Sequence, residues 1–199
     1  MADLSLDELC LVEPLTVGCH AVARAEVTPE DVVAIFGCGG VGLGAVAASA
    51  FRGATTVAMD VDDAKLEIAR KAGAAHVIHT KRQDAREALG KLTGEDGPDV
   101  MIEAVGLAET FRAAVELVAF TGRVVYIGYA KESVSYETRL FVQKELNILG
   151  ARNAPVSYTH LDVYKRQLPK DGVLPDSAEA GTGQYRRDGF KLTPGLRIG

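Results

Sequence analysis

Cysteine is scarce in this chain. Only Cys10, Cys19 and Cys38 occur among 199 residues, they form no C-x-x-C pair, and their odd number argues against a disulfide framework. A reducing, cytoplasmic setting fits that usage. No apolar run approaches the roughly 20 residues that span a bilayer, and the opening Met1-Ala2-Asp3-Leu4-Ser5-Leu6-Asp7-Glu8-Leu9 is acidic, without the basic and apolar regions of a secretory signal. Basic runs are missing too. With 22 Lys and Arg against 27 Asp and Glu the net charge is -5, which argues against a nucleic-acid or anionic-membrane surface as partner.

What is present is the composition of an ordinary globular protein: 47% hydrophobic and 25% charged residues, a mean hydropathy of +0.07, and enough length to bury a core. The spacing predicts helices over 4–11 and 17–26, the first ended at Glu13-Pro14 because a residue before proline is biased away from helix. Strands and helices then alternate. Strands are expected over 32–36, 55–59, 76–79, 99–104 and 123–127, helices over 41–52, 62–72, 84–92 and 107–120, then a short helix over 139–144 and a sixth strand over 147–150. Gly53, Gly73, Gly94 and Gly122 fall at helix ends, where a left-handed residue is expected. Such alternation implies right-handed crossovers and a parallel sheet covered on both faces. The fold class is therefore α/β, a doubly wound six-stranded parallel sheet with an irregular C-terminal tail.

One turn in that pattern carries chemistry. Gly37, Gly39 and Gly42 form a G-x-G-x-x-G run directly after the apolar stretch Val32-Val33-Ala34-Ile35-Phe36, and Asp60 closes the next β-branched stretch. Strand, tight turn, small-residue helix and an acidic residue roughly twenty positions on are the ordered parts of a dinucleotide-binding Rossmann unit. Gly37 allows the turn, Gly39 lets the backbone approach a pyrophosphate, and Gly42 lets the helix pack on the sheet. Free N–H groups at the helix start, with Gly40 and Val41, would face the phosphates. Asp60 would accept hydrogen bonds from the adenosine ribose and repel a 2′-phosphate, favouring NAD over NADP. The plainer reading is that Asp60 caps the next helix; Asp62 and Asp63 sit closer to that helix start and would leave Asp60 free.

Further segments resemble a known family. Glu13-Pro14-Leu15-Thr16-Val17-Gly18, the glycine run, Asp60 with Lys65 and Leu66, Glu103-Ala104-Val105-Gly106 and Phe141-Val142-Gln143-Lys144-Glu145-Leu146 are together similar to the zinc-dependent medium-chain alcohol and polyol dehydrogenases, with the sorbitol and sugar-acid dehydrogenase branch nearest. The resemblance implies an oxidoreductase that moves hydride between a secondary alcohol, a polyol or sugar acid, and NAD, with zinc polarising the alcohol oxygen. It implies that Asp60 and Lys65 hold the adenosine ribose, that Val105, Gly106, Ile127 and Gly128 line the cofactor, that Glu13 stands at the edge of the zinc site as a ligand or neighbour, and that Arg152 lies near substrate or cofactor. A homo-oligomer is implied for the intact enzyme, with a small-molecule alcohol or polyol as substrate.

The same resemblance marks an omission. The family's catalytic half, with its Cys and His zinc ligands, would precede residue 1, and no G-H-E segment occurs here. Met1 therefore reads as an internal start or a truncated reading frame, residues 1–28 as a helical lead-in, and 29–154 as the NAD-binding domain, a portion expected to bind NAD weakly and turn over nothing alone, with zinc belonging to the intact parent. Two other readings stand beside this one: a stand-alone module that senses NAD(H), and a zinc-free quinone-type reductase, which Asp60 disfavours. Without the family, Lys65 is a solvated helix charge and Glu13 a loop carboxylate. Glu103, polar within an apolar strand, is either a satisfied buried carboxylate or a strand-end residue, with no chemistry assigned to it. His20 reads as structural, and His76 and His79 bracket a strand without a ligand partner.

Residues 155–199 read differently. One codon choice for Val156-Ser157-Tyr158-Thr159-His160-Leu161-Asp162-Val163-Tyr164-Lys165-Arg166-Gln167 is an inverted repeat that resembles two joined sequencing-adapter ends, so this stretch is expected to be a translated scar and His160 is discounted as a ligand. The remainder is rich in Gly and Pro without a period, and reads as loop or disorder.

Overall fold

The computed structural model describes residues 5–153. The readings for 155–199 lie outside those residues. Twelve elements follow in order: α1 (Leu6–Arg24), β1 (Val32–Phe36), α2 (Gly40–Phe51), β2 (Thr55–Asp60), α3 (Asp63–Lys71), β3 (His76–His79), α4 (Ala85–Thr93), β4 (Val100–Glu103), α5 (Ala108–Leu117), β5 (Arg123–Tyr126), α6 (Arg139–Gln143) and β6 (Asn147–Gly150).

The strands lie in the order β3-β2-β1-β4-β5-β6, every adjacent pair parallel. Side chains alternate between two cores. Val33, Ile35, Val100, Ile102 and Val125 pack with α1, α2 and α3 residues such as Val22, Val46 and Leu66, whereas Ala34, Phe36, Met59, Met101 and Val124 pack with Leu89 of α4 and Ala114 and Leu117 of α5. Both faces are covered, so the strands are apolar throughout rather than alternating. The predicted doubly wound six-stranded sheet is the fold observed.

The predicted break at Pro14 does not occur, and α1 runs through it. A proline inside a helix costs on the order of 3 kcal/mol, and here the packing of α1 on α2 offsets it. A Cβ on Gly18 would overlap the Val41 carbonyl and the Ala45 amide, and one on Gly44 would overlap the Leu15 carbonyl. The two helices therefore meet backbone to backbone, and an interruption at residue 13 would pull that contact apart. Gly122 also departs from expectation. Gly53, Gly73 and Gly94 have the positive φ of a left-handed helix end, but after α5 Thr121 adopts it, at φ 56°. Gly122 is a glycine for space, since a Cβ there would stand 2.8 Å from the Ala119 carbonyl.

Candidate cofactor site

The chain leaves β1 toward β2 and β3, then returns to add β4, β5 and β6 on the other side. Loops leaving the carboxyl ends of β1 and β4 turn to opposite faces and open a crevice, where open α/β sheets take their ligands.

The three fingerprint glycines stand at this crevice for three different reasons. Gly37 has φ 92°, and a Cβ there would press on the Val105 side chain at 2.9 Å and the Ala104 carbonyl at 3.1 Å. Gly42 must be bare because a Cβ would overlap the Gly37 carbonyl oxygen, which would push α2 off its own turn. Gly39 has neither reason. Its φ of -72° and ψ of -178° suit any residue, it is exposed, and an added Cβ would meet nothing within 4 Å. Nothing inside the protein requires glycine at this position, and the space a side chain would take lies open at the start of α2.

That helix start is bare in a second sense. Asp62 caps α3 by accepting from the Ala64 and Lys65 N–H groups, and Asp84 caps α4 by accepting from the Glu87 N–H. Gly39, at the head of α2, has no side chain to cap with, and no acidic residue stands in the first turn. The opening N–H groups of a helix have no intrahelical acceptor, so here they are left to an anion. A dinucleotide pyrophosphate fits this cradle.

Asp60 was expected to be free, and it is engaged. Its Oδ2 accepts from the Cys38 N–H at 2.7 Å, and its Oδ1 accepts from the Val61 and Asp62 N–H groups at 2.7 and 3.1 Å. The register explains this: Phe36 lies beside Met59, so the turn just past the end of β1 faces Asp60, the last residue of β2. A carboxylate has about four acceptor sites, and three N–H donors leave room for a ribose hydroxyl. Cys38 beside it is buried, and its thiol is pushed up to about 12, chiefly by burial and then by the Asp60 charge. It is no nucleophile. Lys65 is exposed near the start of α3, where its N–H donates to the cap Asp62, two residues past Asp60.

On the β4 and β5 side, Val105 is exposed and Gly106 has φ 87°. A Cβ on Gly106 would sit 2.9 Å from the Tyr129 carbonyl oxygen, so the loops after β4 and β5 touch backbone to backbone. The Ile127 side chain is buried in the core, and the Ile127 and Gly128 N–H groups donate to the Glu103 carbonyl at 2.9 and 3.1 Å. Arg152 is exposed just past β6, at the same end of the sheet. Tyr126 stacks on Phe111 with ring centroids 4.4 Å apart and donates to the Phe111 carbonyl at 2.9 Å; burial holds its phenol well above the ordinary range.

Sequence reasoning gave Glu103 no role, yet it is fully buried at the end of β4. Its Oε1 accepts from the Val105 and Gly106 N–H groups at 2.9 and 2.8 Å and from the Thr110 hydroxyl at 2.7 Å. A lone carboxylate closing an apolar strand was the available signal.

Zinc does not fit the described residues. Glu13 is exposed on α1 beside Pro14, and no group of three or more His, Cys, Asp or Glu side chains among the described residues could hold a metal ion. His20 is half-buried, with its pKa lowered by burial and then by Arg24. A hollow of about 490 Å³ beside β3, lined by His76, Arg82 and Lys91 among others, shares no residue with the glycine turn. No helix among the described residues is long and apolar enough to cross a membrane.

Residues 40–159 match the family described as zinc-binding dehydrogenase. The chain belongs to that family. It is 36% identical over 149 residues to a sorbitol dehydrogenase of Bacillus subtilis (strain 168), covering 74% of this chain and 42% of that one. It is 37% identical over 208 aligned residues to a D-xylulose reductase of Scheffersomyces stipitis, covering 92% of this chain and 57% of the relative, a share that extends past residue 153. Among solved structures, a zinc-binding dehydrogenase of Sinorhizobium meliloti 1021, determined bound to NADP, superposes with a TM-score of 0.70 at 28% identity, covering 82% of this chain and 48% of that one. The chain thus spans about half the length of the relatives it matches.

Proposed function

We propose that residues 29–154 are the NAD-binding portion of an oxidoreductase that moves hydride between a secondary alcohol, a polyol or sugar acid, and NAD, with zinc held by residues outside this set. Residues 1–28 are the lead-in to it. The carrying observation is Gly39, a glycine that neither backbone strain nor packing explains, at the head of a helix with no cap.

In this reading Gly37, Gly39, Gly40, Val41 and Gly42 take the pyrophosphate, Asp60 and Lys65 the adenosine ribose, and Val105, Gly106, Ile127 and Gly128 the nicotinamide half. Bound NAD supplies a ring carbon that accepts hydride. The protein's part is to fix that ring at the strand ends. Asp60 favours NAD over NADP because a 2′-phosphate would meet its carboxylate at short range; the NADP in the Sinorhizobium meliloti structure belongs to that relative. Arg152 is assigned to a substrate or cofactor contact, and Glu13 to the edge of the zinc site. The intact enzyme is proposed to be a cytoplasmic homo-oligomer; the oligomer is supported by the outer edge of β6, which among the described residues pairs only with β5.

Titration of NADH and NADPH into the full chain tests the cofactor assignment. Saturable NADH binding with NADPH at least about tenfold weaker is expected. Equal NADPH binding overturns the NAD preference, and binding of neither by a folded chain overturns the site. Turnover of sorbitol with NAD by this chain alone would contradict the placement of zinc chemistry elsewhere.

A further inference from the structure

Glu103 joins two loops that leave neighbouring strands. Its side chain accepts from Val105, Gly106 and Thr110, all on the stretch after β4, while its main-chain carbonyl accepts from the Ile127 and Gly128 N–H groups after β5 at 2.9 and 3.1 Å. The register pairs Glu103 with Tyr126, which brings the two stretches side by side. Successive N–H groups in a turn with a positive-φ residue form an anion-binding concavity. The Val105 and Gly106 pair is such a turn, and the anion that fills it is the Glu103 carboxylate. It is therefore closed to the cofactor's phosphates, which are left to the glycine turn.

The second oxygen makes the case independent of those bonds. Oε2 is buried with no hydrogen-bond partner among the described residues, and Gly128 must lack a side chain because a Cβ would overlap it. The loop after β5 is therefore fitted against the Glu103 side chain as well as hydrogen-bonded to its carbonyl.

We propose that Glu103 is a positioning residue of the cofactor site: its carboxylate locks the loop after β4, its carbonyl locks the loop after β5, and together they set the cleft that takes the nicotinamide half of the dinucleotide. The proposal rests on the cofactor reading above. Val105, held by this clamp, also touches the glycine turn, since it is the side chain a Cβ on Gly37 would meet. The clamp thus fixes the nicotinamide end relative to the phosphate end without touching the Asp60 end.

The test uses two ligands on the full chain: NADH, and ADP-ribose, which lacks the nicotinamide. Glu103→Ala is expected to weaken NADH binding about tenfold while leaving ADP-ribose within about twofold, a split that general loss of folding does not produce. Should Glu103→Ala fail to fold, Thr110→Val removes one donor from the clamp, with NADH expected to weaken about threefold and ADP-ribose to stay unchanged. A wild-type chain that binds both ligands, with the folded variant losing both in parallel or neither, overturns the role of Glu103. A wild-type chain that binds neither ligand overturns the cofactor reading instead.

Discussion

The Asp60 carboxylate accepts a hydrogen bond from the Cys38 N–H at 2.7 Å. The residue that would select the cofactor also fixes the turn that would bind its phosphates. Asp60→Ala removes both functions: NADH binding weakens by at least about tenfold, or 1.4 kcal/mol, and the preference over NADPH narrows. Calorimetric titration of both nucleotides measures it. NADH affinity unchanged in the variant would place the ribose elsewhere.

Gly42→Ala acts on the fold rather than on the ligand. The new methyl group overlaps the Gly37 carbonyl, which is main chain and cannot swing aside. Urea denaturation should show a loss of at least about 2 kcal/mol, within the range for overpacked sites. Wild-type stability would mean that α2 does not sit against its turn as described.

At the opposite end of the strands, Arg123 pairs with Asp31 and also donates to the Ala25 carbonyl at 2.8 Å, while Asp31 accepts from the Thr28 N–H at 2.7 Å. Asp31→Ala strands a guanidinium that is mostly out of solvent. A loss of about 2–3 kcal/mol in stability should accompany unchanged NADH affinity in the fraction that remains folded. Loss of affinity without loss of stability would contradict the separation of the two ends.

The three thiols should differ in reactivity with their exposure. Cys10 and Cys19 are exposed and Cys38 is buried; Cys19 is raised by burial, and Cys38 to about 12. Folded protein treated with iodoacetamide at pH 8 should lose Cys10 first and keep Cys38, read by peptide mass mapping. The sign for stability follows. A thiol raised above its unfolded value of 9.0 stays protonated in the native state while the unfolded chain ionises, so its contribution is intact below pH 9 and is lost as pH rises toward 12. Early alkylation of Cys38 would show that the turn opens.

Strand and helix rhythm and the glycine turn were legible because each depends on neighbours within a few residues. What depended on tertiary register was not. Pro14 signals a break by local rules, and only the crossing of α1 and α2 through Gly18 and Gly44 shows why the helix continues. The Thr121 and Gly122 exchange of roles depends on Asp99 and Ala119 lying close behind. Glu103 has its donors nearby at 105, 106 and 110, but its meaning comes from pairing with Tyr126, which no local pattern states. The register of β1 on β2 likewise turns Asp60 from a free carboxylate into one that holds Cys38.

Gly39→Ala separates a ligand site from a folding requirement more directly than any other change. Beyond its chain neighbours the methyl group meets no atom of the described residues within 4 Å and the backbone suits alanine, so the thermal midpoint should match wild type. NADH titration should show saturable binding by the wild-type chain and at least about tenfold weaker binding by the variant. Equal NADH binding by the two, or none by a folded wild-type chain, would contradict the assignment of the glycine turn to a dinucleotide.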